Sequence, residues 1–255
     1  MQQRFLVALM LMISSGLFAQ NATRVEGTYI TPIFSGKYQR VLDRAQSPVH
    51  YRGLGGGLGI GTHFHRKKWI FENELLAHYN LLNPNFSQNP LNTRITASDA
   101  NLQNHFFYEI QVSEKWRHLA GVSLPVFVQY RLHSGHSNSS ETWNAYALVG
   151  PAAGTQYHFR FLRKGWIAEG FAALPVWGYG TKPSFTRFFG RFTENISPRH
   201  WGNAYMLETR MRLRMLLMNG NQMGLQYTWT YFSDSVDNLS QLGSHQLQFY
   251  LLYKL

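Results

Sequence analysis

Nine residues near the middle of the chain, HSGHSNSSE from His133 to Glu141, bring together two histidines and four serines. An imidazole beside a serine hydroxyl is the pairing of a hydrolytic dyad, in which the ring takes the proton as the oxygen attacks. His133, His136 and Ser137 are the candidate catalytic residues of that reading. On a strand, His136 and Ser137 would point to opposite faces, and the same composition is ordinary for a polar loop. His63 and His65 lie two apart and could share a strand face, as two metal ligands do. No third ligand is identifiable for them in the sequence, so no metal is expected. The run GLGGGLGIG, Gly53 to Gly61, lacks the Lys-Ser/Thr and the helix of a phosphate loop. In a strand, such glycines permit a bend or bulge where interior side chains crowd.

Whatever chemistry these residues do, strands must position them. Runs of alternating polar and apolar residues recur along the chain. They predict ten strands: 24–41, 51–64, 69–79, 103–113, 118–132, 142–161, 166–179, 201–218, 223–232 and 245–255. Short connections, HRKK, SEKWR, LRKG and MNGN, alternate with longer polar ones such as LLNPNFSQNPLNTRITASDAN and GTKPSFTRFFGRFTENISPRH. The Asn219-Gly220 pair is a favoured hairpin turn.

The segment ETRMRLRMLLM sets Arg210, Arg212 and Arg214 between Met211, Leu213 and Met215. On a helix, residues two apart do not share a face; on a strand they do. Turned toward lipid, each arginine near the midplane would cost ~2–4 kcal/mol. The apolar residues therefore face lipid and the arginines face a lumen. Glu72, Glu109, Glu169 and Glu208, with Arg160, are placed inward near the same short-turn end. Confined opposite charges pair because an isolated one is costly. The expectation is a lumenal ion-pair network of Glu72, Glu109, Glu169, Glu208, Arg160, Arg210, Arg212 and Arg214 that plugs a narrow barrel.

Composition agrees. Charged residues are 15% and aromatics 15% of the chain, with mean hydropathy −0.27. That excludes a bundle of membrane helices and fits a transmembrane β-barrel. Trp69, Trp116 and Trp166 lie beside short turns, Trp143, Trp177 and Trp201 beside long loops, and Trp229 in the loop-ward half of its strand. Indole rings favour membrane interfaces, so two aromatic belts are predicted. The opening MQQRFLVALMLMISSGLFAQ has the basic start, short apolar stretch and small-residue cut site of a secretory signal peptide. It is too short to span a bilayer, which takes ~20 apolar residues. Residues 1–19 are read as the signal peptide and 20–255 as the barrel domain. With no cysteine, disulfides and thiolate metal sites are excluded. The net charge of +11 suggests nucleic acid. Export and the placement of charge in turns argue instead for anionic headgroups.

The chain ends HQLQFYLLYKL, with Phe249, Leu251, Tyr253 and Leu255 alternating to the last residue. This resembles the C-terminal signature of bacterial outer-membrane β-barrels, although that class usually ends in Phe. The Leu ending and the leader resemble barrels of the Bacteroidota type. The resemblance implies an all-β, closed, antiparallel up-and-down barrel with short periplasmic turns and longer extracellular loops. It implies outer-membrane localisation and contact with phospholipid and lipopolysaccharide. Envelope or secretion proteins are the other partners implied, with no nucleic acid and no cofactor. The lipid A deacylase family carries His-x-Ser-Asn; here His136-Ser137-Asn138 has no residue between. Outer-membrane proteases of ten strands use Asp pairs and an Asp-His pair; Asp43, Asp99, Asp234, Asp237 and His245 do not match that spacing. The expected role is envelope structure, surface contact or service to a secretion or assembly machine. A narrow small-solute channel is the alternative, and a rim hydrolase of lipid A or phospholipid the second.

Overall fold

The computed structural model describes residues 26–44, 47–85, 94–113, 115–134, 141–182 and 196–255. The strands are β1 Gly27–Asp43, β2 Ser47–Arg66, β3 Trp69–Pro84, β4 Ile95–Val112, β5 Trp116–His133 and β6 Glu141–Phe161. They continue with β7 Lys164–Ala173, β8 Trp177–Thr181, β9 Ser197–Arg199, β10 Ala204–Leu216, β11 Gln222–Asp234 and β12 Ser240–Lys254. Consecutive strands pair antiparallel, apart from β7 with β8 and β9 with β10; β7 pairs with β10 and β1 with β12, which closes the ring. β8 carries β7's line onward along β6, and β9 pairs with β8 before leading into β10. The wall is thus a closed barrel of ten staves.

The break between β7 and β8 falls at Leu174-Pro175-Val176. Proline has no N–H to give the ladder. The amides on either side, of Leu174 and Val176, still donate to Pro151 and Val149 on β6. The Pro175 carbonyl accepts from Met206, so the wall stays joined across the kink.

Strands β2, β4, β6 and β10 turn over at one end through two to five residues, here called the turn end. At the other, the loop end, the link from Asp43 to Ser47 and that from Asp234 to Ser240 are also short. Both ends of the predicted loop from Leu81 to Asn101 are strand: β3 runs on to Pro84 and β4 begins at Ile95.

Alternation sorts every strand into two faces. β2 presents Arg52, Leu54, Gly56, Leu58, Ile60, Thr62, Phe64 and Arg66 outward, all exposed. From Leu54 to Phe64 that apolar stripe rises about 25 Å, at ~3.3 Å per residue and a strand tilt of ~40°. Arginines bracket it. Trp69 packs edge-on to Tyr108, and Trp116 against Tyr157, at the turn end. Trp143 packs against Tyr130, and Trp201 against Tyr205, at the loop end. Trp166 is partly exposed beside Phe161 at the turn end, Trp177 is exposed at the start of β8, and Trp229 takes outward parity on β11.

The inner faces fill the barrel. Apolar clusters form around Ile70 and Phe107, around Tyr29 and Leu76, around Val41 and Leu82, and around Phe127, Tyr146 and Phe232. Between them lie the polar residues that carry the charge.

Candidate functional site

β10 points Glu208, Arg210, Arg212 and Arg214 into the barrel, all buried, while Met211 and Leu213 are exposed on the other face. In a ring of ten staves, β3 stands five staves from β10, directly across the interior. Arg212 reaches that far. Its Nη1 and Nη2 donate to the two oxygens of Glu72 at 2.8 and 3.1 Å. It also meets Glu74 at 3.2 Å and Glu169 on β7 at 3.2 Å, and its Nε donates to Gln226 at 2.7 Å. Such a forked, planar donor suits bidentate carboxylate pairing.

Arg210 donates to Glu208 at 3.0 Å, Glu72 at 3.3 Å and Gln103 at 2.9 Å. It also donates to His105 Nε2 at 2.8 Å, so that nitrogen is an acceptor. Phe171 lies 5.1 Å beneath its guanidinium. Arg214 donates to Glu169 at 3.1 Å and Gln222 at 3.2 Å.

Six of the eight residues expected in a network, Glu72, Glu169, Glu208, Arg210, Arg212 and Arg214, therefore meet in one buried cluster. Glu109 is elsewhere, 3.5 Å from Arg117 across the β4–β5 turn. Arg160 has inward parity but sits exposed beside the β6–β7 turn, outside the buried set. Glu74 belongs to the cluster and was missing from the expected set, although it shares a strand face with Glu72.

Four further ion pairs, on three aspartates, escaped sequence reasoning. Lys37 binds both oxygens of Asp99 at 2.9 and 3.0 Å. Arg131 pairs with Asp43. Arg199 and Lys182 approach Asp234 at 2.9 and 3.3 Å. Three of the aspartates weighed as proteolytic candidates are therefore occupied by cations. His245 lies on the outer face, bonded to Tyr227 at 2.6 Å.

Among the described residues, eight Asp and Glu and eight Lys and Arg side chains are buried. The interior is neutral, so the net positive charge lies outside it. The exposed cations Arg66, Lys67, Lys68, Arg160, Arg163, Lys164 and Lys254 ring the turn end.

His133 is buried, and its Nε2 lies 2.6 Å from the Tyr51 hydroxyl. His136 and Ser137 fall outside the described residues. His63, His65 and Glu72 offer ligand atoms within 4.8 Å of one another, which supplies the third donor the sequence did not reveal. Both Glu72 oxygens are taken by guanidiniums, and His63 lies 3.4 Å from Glu72 at the edge of the ion-pair cluster.

Together these features define a closed ten-stranded antiparallel β-barrel with a neutral, ion-paired interior. No family model and no curated protein matches the chain. It is similar in structure to the outer membrane protease OmpT of Escherichia coli, at 8% identity and TM-score 0.49, over 90% of this chain and 96% of that one. It is similar to the transport unit of the autotransporter AIDA-I of Escherichia coli, at 9% identity and TM-score 0.45, over 93% of each chain. A third likeness is to the translocator domain of the autotransporter NalP of Neisseria meningitidis, at 10% identity and TM-score 0.42, over 100% of this chain and 96% of that one. At such identities and scores these likenesses are of barrel shape.

Proposed function

We propose that this chain is an integral outer-membrane β-barrel whose lumen is closed by its own ion pairs. It serves the envelope as a structural element, a surface for contact or a component of secretion or assembly. The observation that carries this reading is the reach of Arg212 across the full width of the barrel to Glu72. A bridge between opposite staves, with Arg210, Arg214, Glu74 and Glu169 buried beside it, supports closure of the lumen at its level. The apolar band of about 25 Å matches the height a bacterial outer membrane requires. Arg52 and Arg66 at its edges, and the basic ring at the turn end, suit phosphate headgroups on either side.

Planar-bilayer recording tests the closure. The wild-type protein is expected to give no steady conductance, and Arg210→Ala, Arg212→Ala and Arg214→Ala combined to give openings. Steady wild-type conductance would replace this reading with that of a narrow channel.

A further inference from the structure

Toward the turn end of the barrel, two imidazoles and a carboxylate converge. His63 and His65 share the inner face of β2, and Glu72 stands directly opposite His63 on β3. Each of the three offers one ligand atom within 4.8 Å of the other two. A point central to atoms so spaced lies no more than about 2.8 Å from each. Zinc sits about 2.0–2.2 Å from imidazole and carboxylate ligands, so side-chain movements of under ~1 Å seat it.

The nitrogens are in place for it. His63 is 1% exposed, and neither of its ring nitrogens makes a hydrogen bond. A buried polar group left so is costly unless something engages it. Glu72 Oε1 lies 3.4 Å from His63 Nδ1, and Glu74 Oε1 lies 3.5 Å from Nε2 on the ring's other side. A histidine that binds metal through one nitrogen characteristically turns the other N–H to a carboxylate, which fixes the tautomer and the ring. Here Nδ1 is the ligand, beside Glu72, and Glu74 receives Nε2–H. His65 Nε2 is also buried without a partner, while the residue as a whole is partly exposed. It is one residue from the end of β2, so the site adjoins the rim.

Glu72 keeps room for an ion beside its guanidiniums. An ionised carboxylate has about four acceptor positions. Among the described residues, Oε2 accepts from Arg210 and Arg212, and Oε1 from Arg212 alone. Charge points the same way. The cluster sets Arg210, Arg212 and Arg214 against Glu72, Glu74, Glu169 and Glu208. With neutral imidazoles it holds one negative charge more than it holds positive, and Glu74 Oε2 has no hydrogen-bond partner. A buried excess of negative charge favours a cation over a neutral or anionic ligand. Two imidazoles in the donor set favour zinc over magnesium or calcium, which take oxygen ligands.

We infer that His63, His65 and Glu72 form a zinc-binding site at the turn end of the lumen, with Glu74 as the residue that positions His63. The three ligands leave a fourth position of the tetrahedron for water. Bound there, zinc ties β2 to β3 and adds a fixed positive charge at the edge of the arginine layer. This inference is independent of lumen closure, because the three ligands belong to the wall whether or not the protein conducts.

The full chain, without a histidine tag, is folded in detergent, checked by heat-modifiable migration, stripped with EDTA and titrated with zinc chloride. Calorimetry and elemental analysis of the desalted protein are expected to give one zinc per chain. Cobalt in its place is expected to give the visible absorption of a four-coordinate ion. His65→Ala, at a partly exposed position, abolishes stoichiometric binding with migration unchanged, and His63→Ala does the same. Glu74→Gln weakens binding by about 10–100-fold. His245→Ala, on the outer face, leaves it unchanged. A folded wild-type protein that retains no zinc overturns the inference. So does stoichiometric zinc that survives His65→Ala.

Discussion

Arg212 holds Glu72, Glu74 and Glu169 at once. Removing one partner of a buried ion pair leaves its carboxylates without compensation, at about 3–5 kcal/mol. Arg212→Met is expected to destabilise by that amount in urea unfolding from lipid or detergent. Adding Glu72→Gln restores part of the loss, because one uncompensated charge is gone; a double variant no more stable than the single one contradicts this account. The inward direction of these arginines was legible because Met211 and Leu213 alternate with them. Arg160 shows where parity runs out. It keeps the inward phase, but β6 ends at Phe161 and leaves it at the exposed rim. Phase gives direction and says nothing of depth. The pairs Lys37–Asp99 and Arg131–Asp43 were illegible for a different reason. Their members are 62 and 88 residues apart, and strand order alone does not say which inner positions share a level.

At the scale of a strand, β2 shows how glycine spacing shapes its neighbours. Gly57 faces inward under His78, and an added Cβ would lie 2.3 Å from that ring and 2.4 Å from the Ala77 carbonyl. Gly56 faces outward, with nothing nearer than 4.0 Å. Gly57→Ala should cost about 1–3 kcal/mol by overpacking. Gly56→Ala should be neutral or stabilising by up to about 1 kcal/mol. Equal urea midpoints for the two would refute the role given to Gly57. The sequence showed the glycine run but suggested a bend, whereas the run clears a floor for side chains of β3. The start of β4 was missed for a related reason. Asp99, Asn101 and Gln103 face a polar interior, and Ser98 and Ala100 are outward and small. Alternation between two weakly contrasting faces looks like a loop. Where an apolar outer face stands against a polar interior, as along β5 with Val122, Leu124 and Leu132 outward and Gln129 and Arg131 inward, both strand and extent are easier to recognise.

The molecule as a whole separates its charges by place. The interior is balanced, the outer wall is apolar, and the excess of cations sits at the rims. Moving one charge between these zones measures the boundary. Leu213→Arg places a guanidinium on the outer wall, one residue from Arg212, and should cost about 2–4 kcal/mol of stability in lipid vesicles near the midplane. If Leu213→Arg folds into vesicles as stably as wild type, the outer face of β10 does not meet hydrocarbon. Ring closure and strand direction were legible from alternation and turn length. The kink at Leu174-Pro175-Val176 was not, since the residues on both sides keep strand character and only the missing amide of Pro175 marks it.

The seam between β1 and β12 has a further consequence. Tyr29 stands beside Lys254, and the Leu255 amide donates to the Thr28 carbonyl at 2.9 Å. The two extremities of the wall are therefore stitched side by side at the turn end, where the Asn219-Gly220 hairpin also lies. Topologically the wall is a bracelet whose clasp can be moved. A circular permutant with Gly27 linked to Leu255 and new ends at Asn219 and Gly220 keeps every rung of the ladder and both ends on the same side.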